Sequence, residues 1–475
     1  MDKTNKLTAE QLALGDMSPE DFRDAAHRVA DLAADYLDRL EGYDVLPKIE
    51  PGATRAKLPA APPSSPEALD GILADYRSIV EPYITHWQHP MFMAYFPSVA
   101  SGPGILGEWL SSALNSNVML WRNAPSSTEL EEVVVSWLRQ MLGLPSAFDG
   151  MFTDTASISS LLSIAAARHA ITGPEGAARL RIYASAEAHS SIDKAAIVAG
   201  IGRAGVRRIP ADDEYRMEAG ALAAAIAEDR AAGWVPFCVV ATLGTTSSTS
   251  VDPCDAIAEI CRRESLWLHV DAAYAGAAAI VPELRPLLSG WERADSIVVN
   301  PHKWMFTPFD ASLLLFRNPE AFRDAFSLVP EYLRTPEAGG VHNFNEYGIQ
   351  LGRRFRALKM WMQIRWFGVD GMIARLRDHV RLARLFSGWV DADPDWERLA
   401  PVPFSTVCFR YRGGGDLDAA NAAILDRVNA SGKVFLSHTK LKGRYTIRVA
   451  IGNPRQRDAH VAKCWELLKE AAAEI

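Results

Sequence analysis

A chain of 475 residues is too long for one small core and implies a large domain with additions at its ends. Hydrophobic residues at 48% and charged residues at 23% are ordinary for a soluble globular enzyme and exclude a fibre or a disordered chain. A formal net charge of -8 excludes the basic face with which a nucleic-acid binder displaces phosphate counterions, so no nucleic acid is expected among the partners.

The first residues lack the basic start and apolar core of a signal peptide, and no apolar run reaches the length of a membrane span. Cys238, Cys254, Cys261, Cys408 and Cys464 form no CxxC pair and no zinc spacing, so they are expected to be reduced, partly buried thiols with no metal. A cytoplasmic protein with no membrane partner is the expectation. Ser18 to Leu40 carries apolar residues at helical spacing behind Ser18 as N-cap. The stretch LPKIEPGATRAKLPAAPPSSP reads as an extended connector without a regular element. An arm of this kind must bury its apolar stripe against a second subunit or fold back on its own domain, and contact with a second subunit is the expectation.

From about Ala147 to Arg317 the pattern is strand, turn, helix, repeated. A short apolar run before DTASIS opens an alanine-rich helix, while RIYASAEAHSS, VPFCVVATLGTT, LWLHVDAAY, DSIVVN and ASLLLFR read as buried strands. Runs apolar on both faces belong to parallel sheets covered by helices. After about Asp378 the pattern becomes a smaller α+β one, with STVCFRYR and YTIRVAI as strands and Asp458 to Ala472 as a closing helix.

Ligands of such sheets lie at the carboxyl ends of strands, where His189, Thr245, Thr246, Asp271 and Lys303 fall. Lys303 lies between VVNPH and WMF, an apolar setting that depresses an amine's pKa and frees it for imine chemistry. Asp271 either caps the turn after its strand or pairs with a ring nitrogen. An acid for a ring nitrogen and a lysine for an imine are what a protein needs to hold pyridoxal phosphate. His269 would share the face of Asp271 and is either a second-layer group or a satisfied core histidine. DTAS places Ala156 and Ser157 at a helix N-terminus, which suits a phosphate. Residues 327 to 348 read as an ordinary surface loop or a mobile lid.

With NPHKW at 300–304, HVDAAYAG around Asp271, AHSS around His189 and ATLGTT around Thr246, the chain resembles the group II pyridoxal-phosphate decarboxylases, and among them the aromatic L-amino-acid decarboxylases. The resemblance runs over nearly the whole chain from about Ser18. It implies the aspartate aminotransferase-type fold (fold type I, α/β, a mostly parallel sheet in the large domain and a smaller α+β C-terminal domain). It also implies a homodimer with active sites at the subunit interface. The expected division is 1–85 as arm and connector, 86–375 as the large cofactor domain and 376–475 as the small domain. By resemblance Lys303 is the Schiff-base lysine, Asp271 holds the pyridine nitrogen, and His189 stacks on the ring. Thr246, Ala273, Asn300 and His302 complete the cofactor contacts, and Tyr332 is a loop tyrosine that reaches the neighbouring subunit's site and supports protonation at Cα. Where animal and plant relatives commonly read GSASE, this chain has Asp154 for the Gly and Ile158 for the Glu. An acid beside a phosphate is unfavourable unless it caps amides or faces away, so the phosphate contacts stay open at this point.

The resemblance implies decarboxylation of tryptophan, phenylalanine, tyrosine or DOPA to the arylalkylamine and CO2. Trp87, Tyr95, Phe96, Pro97 and Ser98 fall where the family builds its side-chain pocket, although an aromatic cluster is more often plain core. Asn117 and Met119 replace the Ile and Phe familiar in animal DOPA decarboxylases, and Phe309 is shared. Gly352 matches a glycine of plant tryptophan decarboxylases that animal DOPA decarboxylase also carries. Apart from a cofactor-binding protein that has lost catalysis and serves as an interaction partner, against which the intact Asp271, Lys303 and Tyr332 count, two alternatives stand beside this expectation. One is an aldehyde synthase on the same scaffold, against which His189 and Tyr332 count. The other is a decarboxylase of a non-aromatic amino acid such as glutamate, disfavoured because the pocket segment has no obvious basic residue for a distal carboxylate.

Overall fold

The computed structural model describes residues 7–475 apart from 174, 175, 329, 334, 335, 338 and 339, and apart from the side chain of residue 332. The chain divides into two compact units, Met1–Phe92 with Asp426–Phe435, and Met93–Leu425 with Leu436–Ile475. In the first unit the helix Pro19–Asp38 begins at the expected cap, with Ser18 Oγ accepting the Asp21 N–H at 3.0 Å. None of the residues of that helix is buried. The connector differs from expectation in one place: Ala53–Lys57 forms a short helix, entered through Gly52 at φ +91°, a left-handed turn that glycine tolerates without steric cost.

The second unit contains a seven-stranded sheet and a four-stranded one. The large sheet is built from β1 (Asp149–Thr153), β2 (Leu180–Ser185), β3 (Val206–Ile209), β4 (Val235–Thr242), β5 (Trp267–Asp271), β6 (Ser296–Val299) and β7 (Ser312–Phe316). Their order is β1-β7-β6-β5-β4-β2-β3. The β3–β2–β4–β5–β6 pairings are parallel, while β7 runs antiparallel to both β6 and β1. Only β7 is reversed, so the other strands all deliver their carboxyl ends to one edge of the sheet. Central strands buried on both faces (Phe237 to Thr242, Trp267 to Asp271) explain the continuous apolar runs in the sequence. The small sheet comprises β8 (Trp396–Arg398), β9 (Thr406–Tyr411), β10 (Ser437–Leu441) and β11 (Arg444–Ala450), all antiparallel, and Asp458–Ala472 is a helix as expected. The five cysteines are buried free thiols.

One ion pair ties several of these parts together. Glu131, on the helix Pro125–Met141, accepts from Arg353 at 2.5 Å, and both side chains are almost wholly buried. Arg353 also donates to the carbonyls of Val118 (2.9 Å) and Phe152 (2.7 Å), while Glu131 accepts the Phe152 N–H at 2.9 Å. Full satisfaction of both ions makes the burial tolerable. Glu131→Gln is expected to leave a buried, uncompensated guanidinium and to lower unfolding stability by about 3–5 kcal/mol, measured by urea denaturation. A loss no larger than that of a typical surface substitution would contradict this role.

Candidate active site

The carboxyl ends of β1, β2, β4, β5 and β6 border one cavity of about 230 Å3. Thr155, Ala156 and Ser157 follow β1, His189 and Ser191 follow β2, and Thr242, Gly244 and Thr246 end or follow β4. Asp271, Ala273 and Tyr274 come from β5 and its turn, Asn300, His302 and Lys303 from the turn after β6, and Phe96 closes the wall. The turns approach closely enough that a Cβ on Gly244, which stands at φ +92°, would meet Ala275 at 2.5 Å. His189 lies beyond the strand that the sequence pattern extends to it, because β2 stops at Ser185 and a turn carries the chain to the helix Ser191–Val198.

Lys303 is held in a tight turn, its N–H bonded to the Asn300 carbonyl (3.0 Å) and the Asn300 N–H to the Ala273 carbonyl (3.0 Å). It is half-buried, with Nζ 5.2 Å from the centre of the Phe96 ring. Burial depresses the lysine pKa, Asp271 opposes the shift, and the guanidinium of Arg448 adds to it. Arg448 lies 4.5 Å over the other partner of this contact, the Phe96 ring, and its Nη2 is buried without a hydrogen-bond partner among the described residues. Asp271 is 6% exposed, and its Oδ1 accepts the Ala273 N–H at 3.1 Å.

The two cavity histidines each accept a backbone N–H on Nδ1, which makes them neutral and settles which nitrogen carries the proton. His189 Nδ1 accepts the Ser191 N–H at 3.1 Å, which leaves the proton on Nε2, and burial lowers its pKa against the pull of Asp271. His302 Nδ1 accepts the Ala311 N–H at 3.0 Å, and burial with the nearby Lys303 pushes its pKa down to about 3. His269 does not line the cavity. It is a satisfied core residue between Ser296 Oγ (2.9 Å) and Ser160 Oγ (3.1 Å), and burial lowers its pKa to about 4.

The match to known proteins now has a geometry to explain. The family described as "Pyridoxal-dependent decarboxylase conserved domain" matches residues 51–412. The chain belongs to the pyridoxal-dependent decarboxylase family. The aromatic-L-amino-acid decarboxylase of Sus scrofa is 39% identical over 97% of this chain and 98% of its own length. Phenylacetaldehyde synthase of Arabidopsis thaliana is also 39% identical, over 97% of each chain. A crystal structure of Oryza sativa TDC with PLP and tryptamine superposes with a TM-score of 0.93 at 36% identity, covering 99% of both chains.

The cavity of this decarboxylase fits pyridoxal phosphate. Thr242 Oγ1 and Asn300 Oδ1 are buried in residues that line it and have no partner among the described residues, so both are open to a ligand. The helix Ala156–Thr172 points its N-terminus at the cavity, and the first-turn amides of a helix have no intrahelical partner. Asp154, whose charge is awkward beside a phosphate, is turned to other work. Its Oδ1 accepts the Thr155 N–H (2.5 Å) and hydroxyl (3.1 Å), its Oδ2 accepts Gln350 Nε2 (3.3 Å), and it does not line the cavity.

The expected substrate contacts are not gathered in one place. Phe96 alone of them borders the Lys303 cavity, stacked on Tyr274 at 3.9 Å. Phe309 is 64% exposed and its ring sits 4.5 Å from that of His302. Tyr95 is exposed at φ +51°, Pro97 packs near Gly452, and Ser98 is half-buried. Asn117 and Gly352 line a different cavity of about 580 Å3, and Met119 stands beside Asn117, whose Nδ2 is 3.4 Å from the Met119 sulfur. Trp87 belongs to the other compact unit, where it stacks on Phe92. The Tyr332 side chain lies outside the described residues. Thr245 does not line the cavity; its hydroxyl pairs with Ser248 at 2.9 Å.

Sequence reasoning passed over Thr155, Ser191, Thr242, Tyr274 and Arg448. Thr242 ends a strand just as Asp271 does, and Tyr274 stands in HVDAAYAG, so both carried a signal. Arg448 carried none, because an arginine in a distant β11 has no local mark of burial. A free amine is the reactive form, and burial brings Lys303 toward it. Treatment of the apoprotein with pyridoxal phosphate near neutral pH and borohydride is therefore expected to label Lys303 ahead of the exposed lysines, as mapped by mass spectrometry. Equal labelling across the lysines would show that the depressed amine is absent.

Proposed function

We propose that this enzyme decarboxylates an aromatic L-amino acid (tryptophan, phenylalanine, tyrosine or DOPA) to the arylalkylamine and CO2. The observation that carries the reading is the partly desolvated Lys303 beside Asp271 in a cavity walled by the Phe96 ring. Full-length similarity to an aromatic-L-amino-acid decarboxylase supports the substrate class.

Bound there, pyridoxal phosphate supplies an aldehyde carbon and a conjugated ring that can take up the electrons of the Cα–carboxylate bond. Lys303 would hold the aldehyde carbon. Asp271, at the end of β5, would hold the ring nitrogen and keep its proton. The amides of Ala156 and Ser157, with Asn300 and His302, would hold the phosphate, and Thr246 and Ala273 would flank the ring. His189 presents a neutral imidazole with its proton on Nε2, suited to stack and to donate to a carboxylate. Tyr332 would supply or relay the proton to Cα. Replacement of Tyr332 by Phe is expected to lower amine formation on the order of 100-fold with substrate binding retained, as read by amine and CO2 release in single turnovers. An unchanged amine rate would remove Tyr332 from the reaction.

A homodimer with sites at the subunit interface is part of the same reading. Leu106, Trp109, Leu110 and Leu114 line one exposed face of the helix Gly102–Leu114, and Phe22 and Val29 are exposed on Pro19–Asp38. An apolar stripe of this kind is best covered by a second copy. Because Asn117, Met119 and Gly352 lie apart from Lys303 in one chain, the dimer would bring this group to the neighbouring subunit's cavity. The reading also keeps 1–85, 86–375 and 376–475 as arm, cofactor domain and small domain, and places the enzyme in the cytoplasm, consistent with five buried free thiols. Deletion of residues 1–85 is expected to give a monomer by sedimentation; a truncated protein that still sediments as a dimer would show that the arm is not part of the interface.

The full-length similarity to phenylacetaldehyde synthase keeps the aldehyde-forming reaction as a second reading. Purified holoenzyme assayed with tryptophan, phenylalanine, tyrosine, DOPA and glutamate separates the cases. Equal amounts of amine and CO2 from an aromatic substrate, without peroxide, is the expected result. Peroxide with aldehyde would assign the synthase reaction, and turnover of glutamate alone would overturn the aromatic assignment.

A further inference from the structure

Outside the Lys303 cavity, one cluster of charged groups has a geometry that constrains its protonation. His342 Nδ1 lies 2.7 Å from Glu132 Oε1, and His342 Nε2 lies 3.1 Å from Asp149 Oδ2. Ionised carboxylates only accept hydrogen bonds, so both ring nitrogens must donate and the imidazole is a cation. The paired carboxylates raise its pKa to about 10, which agrees with the geometry. Glu132 comes from the helix Pro125–Met141 and Asp149 from the first residue of β1, so the histidine joins two elements.

Two paths lead from His342 to the group Asn117–Met119. Along the backbone, the Asn345 N–H donates to the Met119 carbonyl at 3.1 Å, and Asn343 Oδ1 accepts the Trp121 N–H at 3.2 Å. Through side chains, the His342 ring stacks on Phe344 with centres 5.9 Å apart, and the Arg353 guanidinium lies 4.4 Å over the same ring. Arg353 donates its N–H to Asn117 Oδ1 at 2.9 Å and its guanidinium to the Val118 carbonyl at 2.9 Å. Neighbouring acids on one helix thus hold both ends of the arrangement: Glu131 takes Arg353 and Glu132 takes His342.

We infer that His342, bridging Glu132 and Asp149, is a positioning residue that sets the substrate side-chain wall formed by Asn117 and Met119. The inference rests on the proposed function for the role of that wall, and on the contacts above for its placement. His342 touches neither Lys303 nor the cavity around it, so its effect falls on substrate fit and not on cofactor attachment.

The test compares wild-type and His342→Gln holoenzyme. Hydrogen exchange of peptides spanning residues 117–121 is expected to quicken about tenfold in the variant, with cofactor absorbance unchanged. KM for the preferred aromatic amino acid is expected to rise about fivefold with kcat nearly constant. A lower Tm with exchange quickened to the same extent throughout the chain, 117–121 showing no excess, and an unchanged KM would overturn the inference and leave His342 a general stabiliser. Should the variant fail to fold, Glu132→Gln keeps the Asp149 contact and is expected to shift exchange and KM in the same direction by less; no shift would again overturn it. If the wild type turns over no aromatic amino acid, the proposed function fails, and the exchange comparison alone then decides whether His342 positions Asn117 and Met119.

Discussion

Keeping a half-buried amine beside a carboxylate, without letting the two neutralise each other in a closed salt bridge, is the constraint around which the rest is arranged. An isolated buried ammonium would cost several kcal/mol and would shed its proton instead. Here the depressed Lys303 amine is the useful state, and the fold holds it there by position. The turn after β6 places Lys303 within the cavity, while β5 ends on Asp271 with one oxygen engaged by the Ala273 N–H. Arg448, coming from the small sheet and packed over Phe96, adds a positive field that discourages a second positive charge on Lys303. The carboxylate pulls one way, and desolvation with the guanidinium pulls the other. Sheet, turn and C-terminal strand must all be in place for that balance to exist.

The same logic governs the histidines. A protonated imidazole near Lys303 would compete for Asp271, and the structure prevents this by spending one nitrogen of each cavity histidine as an acceptor for a backbone N–H, Ser191 for His189 and Ala311 for His302. The remaining nitrogen is then a donor of fixed identity. Asp154 shows the converse: its charge is retained but absorbed by Thr155 and Gln350, outside the cavity. Behind the wall, Phe96 stacks on Tyr274 and Tyr274 on Trp304 at 4.9 Å, while Trp304 donates to His379 Nδ1 at 3.0 Å. The residue next to Lys303 is therefore fixed by aromatic packing, which limits the freedom of the lysine stem.

Much of this was legible in the sequence, for identifiable reasons. The strands of a parallel sheet are short, continuous apolar runs, and polar residues stand out where those runs end. That contrast marks Asp271, Asn300, Lys303 and the Ala156–Ser157 turn. His269 lay two residues from Asp271 in the same run and could not be assigned by periodicity, since Ser160 and Ser296, which satisfy it, are remote in sequence. The reach of β2 was overstated because AEAHSS continues an alanine-rich apolar texture after the ladder has ended at Ser185. The helix Ala53–Lys57 was hidden by the prolines around it. Most opaque was the placement of Asn117, Met119 and Gly352. A single chain's sequence shows which residues are unusual, but not that a group of them gathers around a cavity without Lys303.

That separation gives the molecule two centres with different physical demands. Around Lys303 the imidazoles are neutral, and Asp271 opposes desolvation and the Arg448 guanidinium in setting the amine. Around Asn117 and Met119 the demand is shape, and the fold meets it with charges that are fully paired. Arg353 is buried with Glu131 and backbone carbonyls, and His342 is bridged by Glu132 and Asp149. Paired ions contribute little net stability but hold direction, since a guanidinium or imidazolium with two fixed acceptors has few other places to go. Asn117 and Met119 sit on a segment whose carbonyls are held by Arg353 and Asn345. On the proposed function, selectivity and reactivity would be carried by different parts of the same chain.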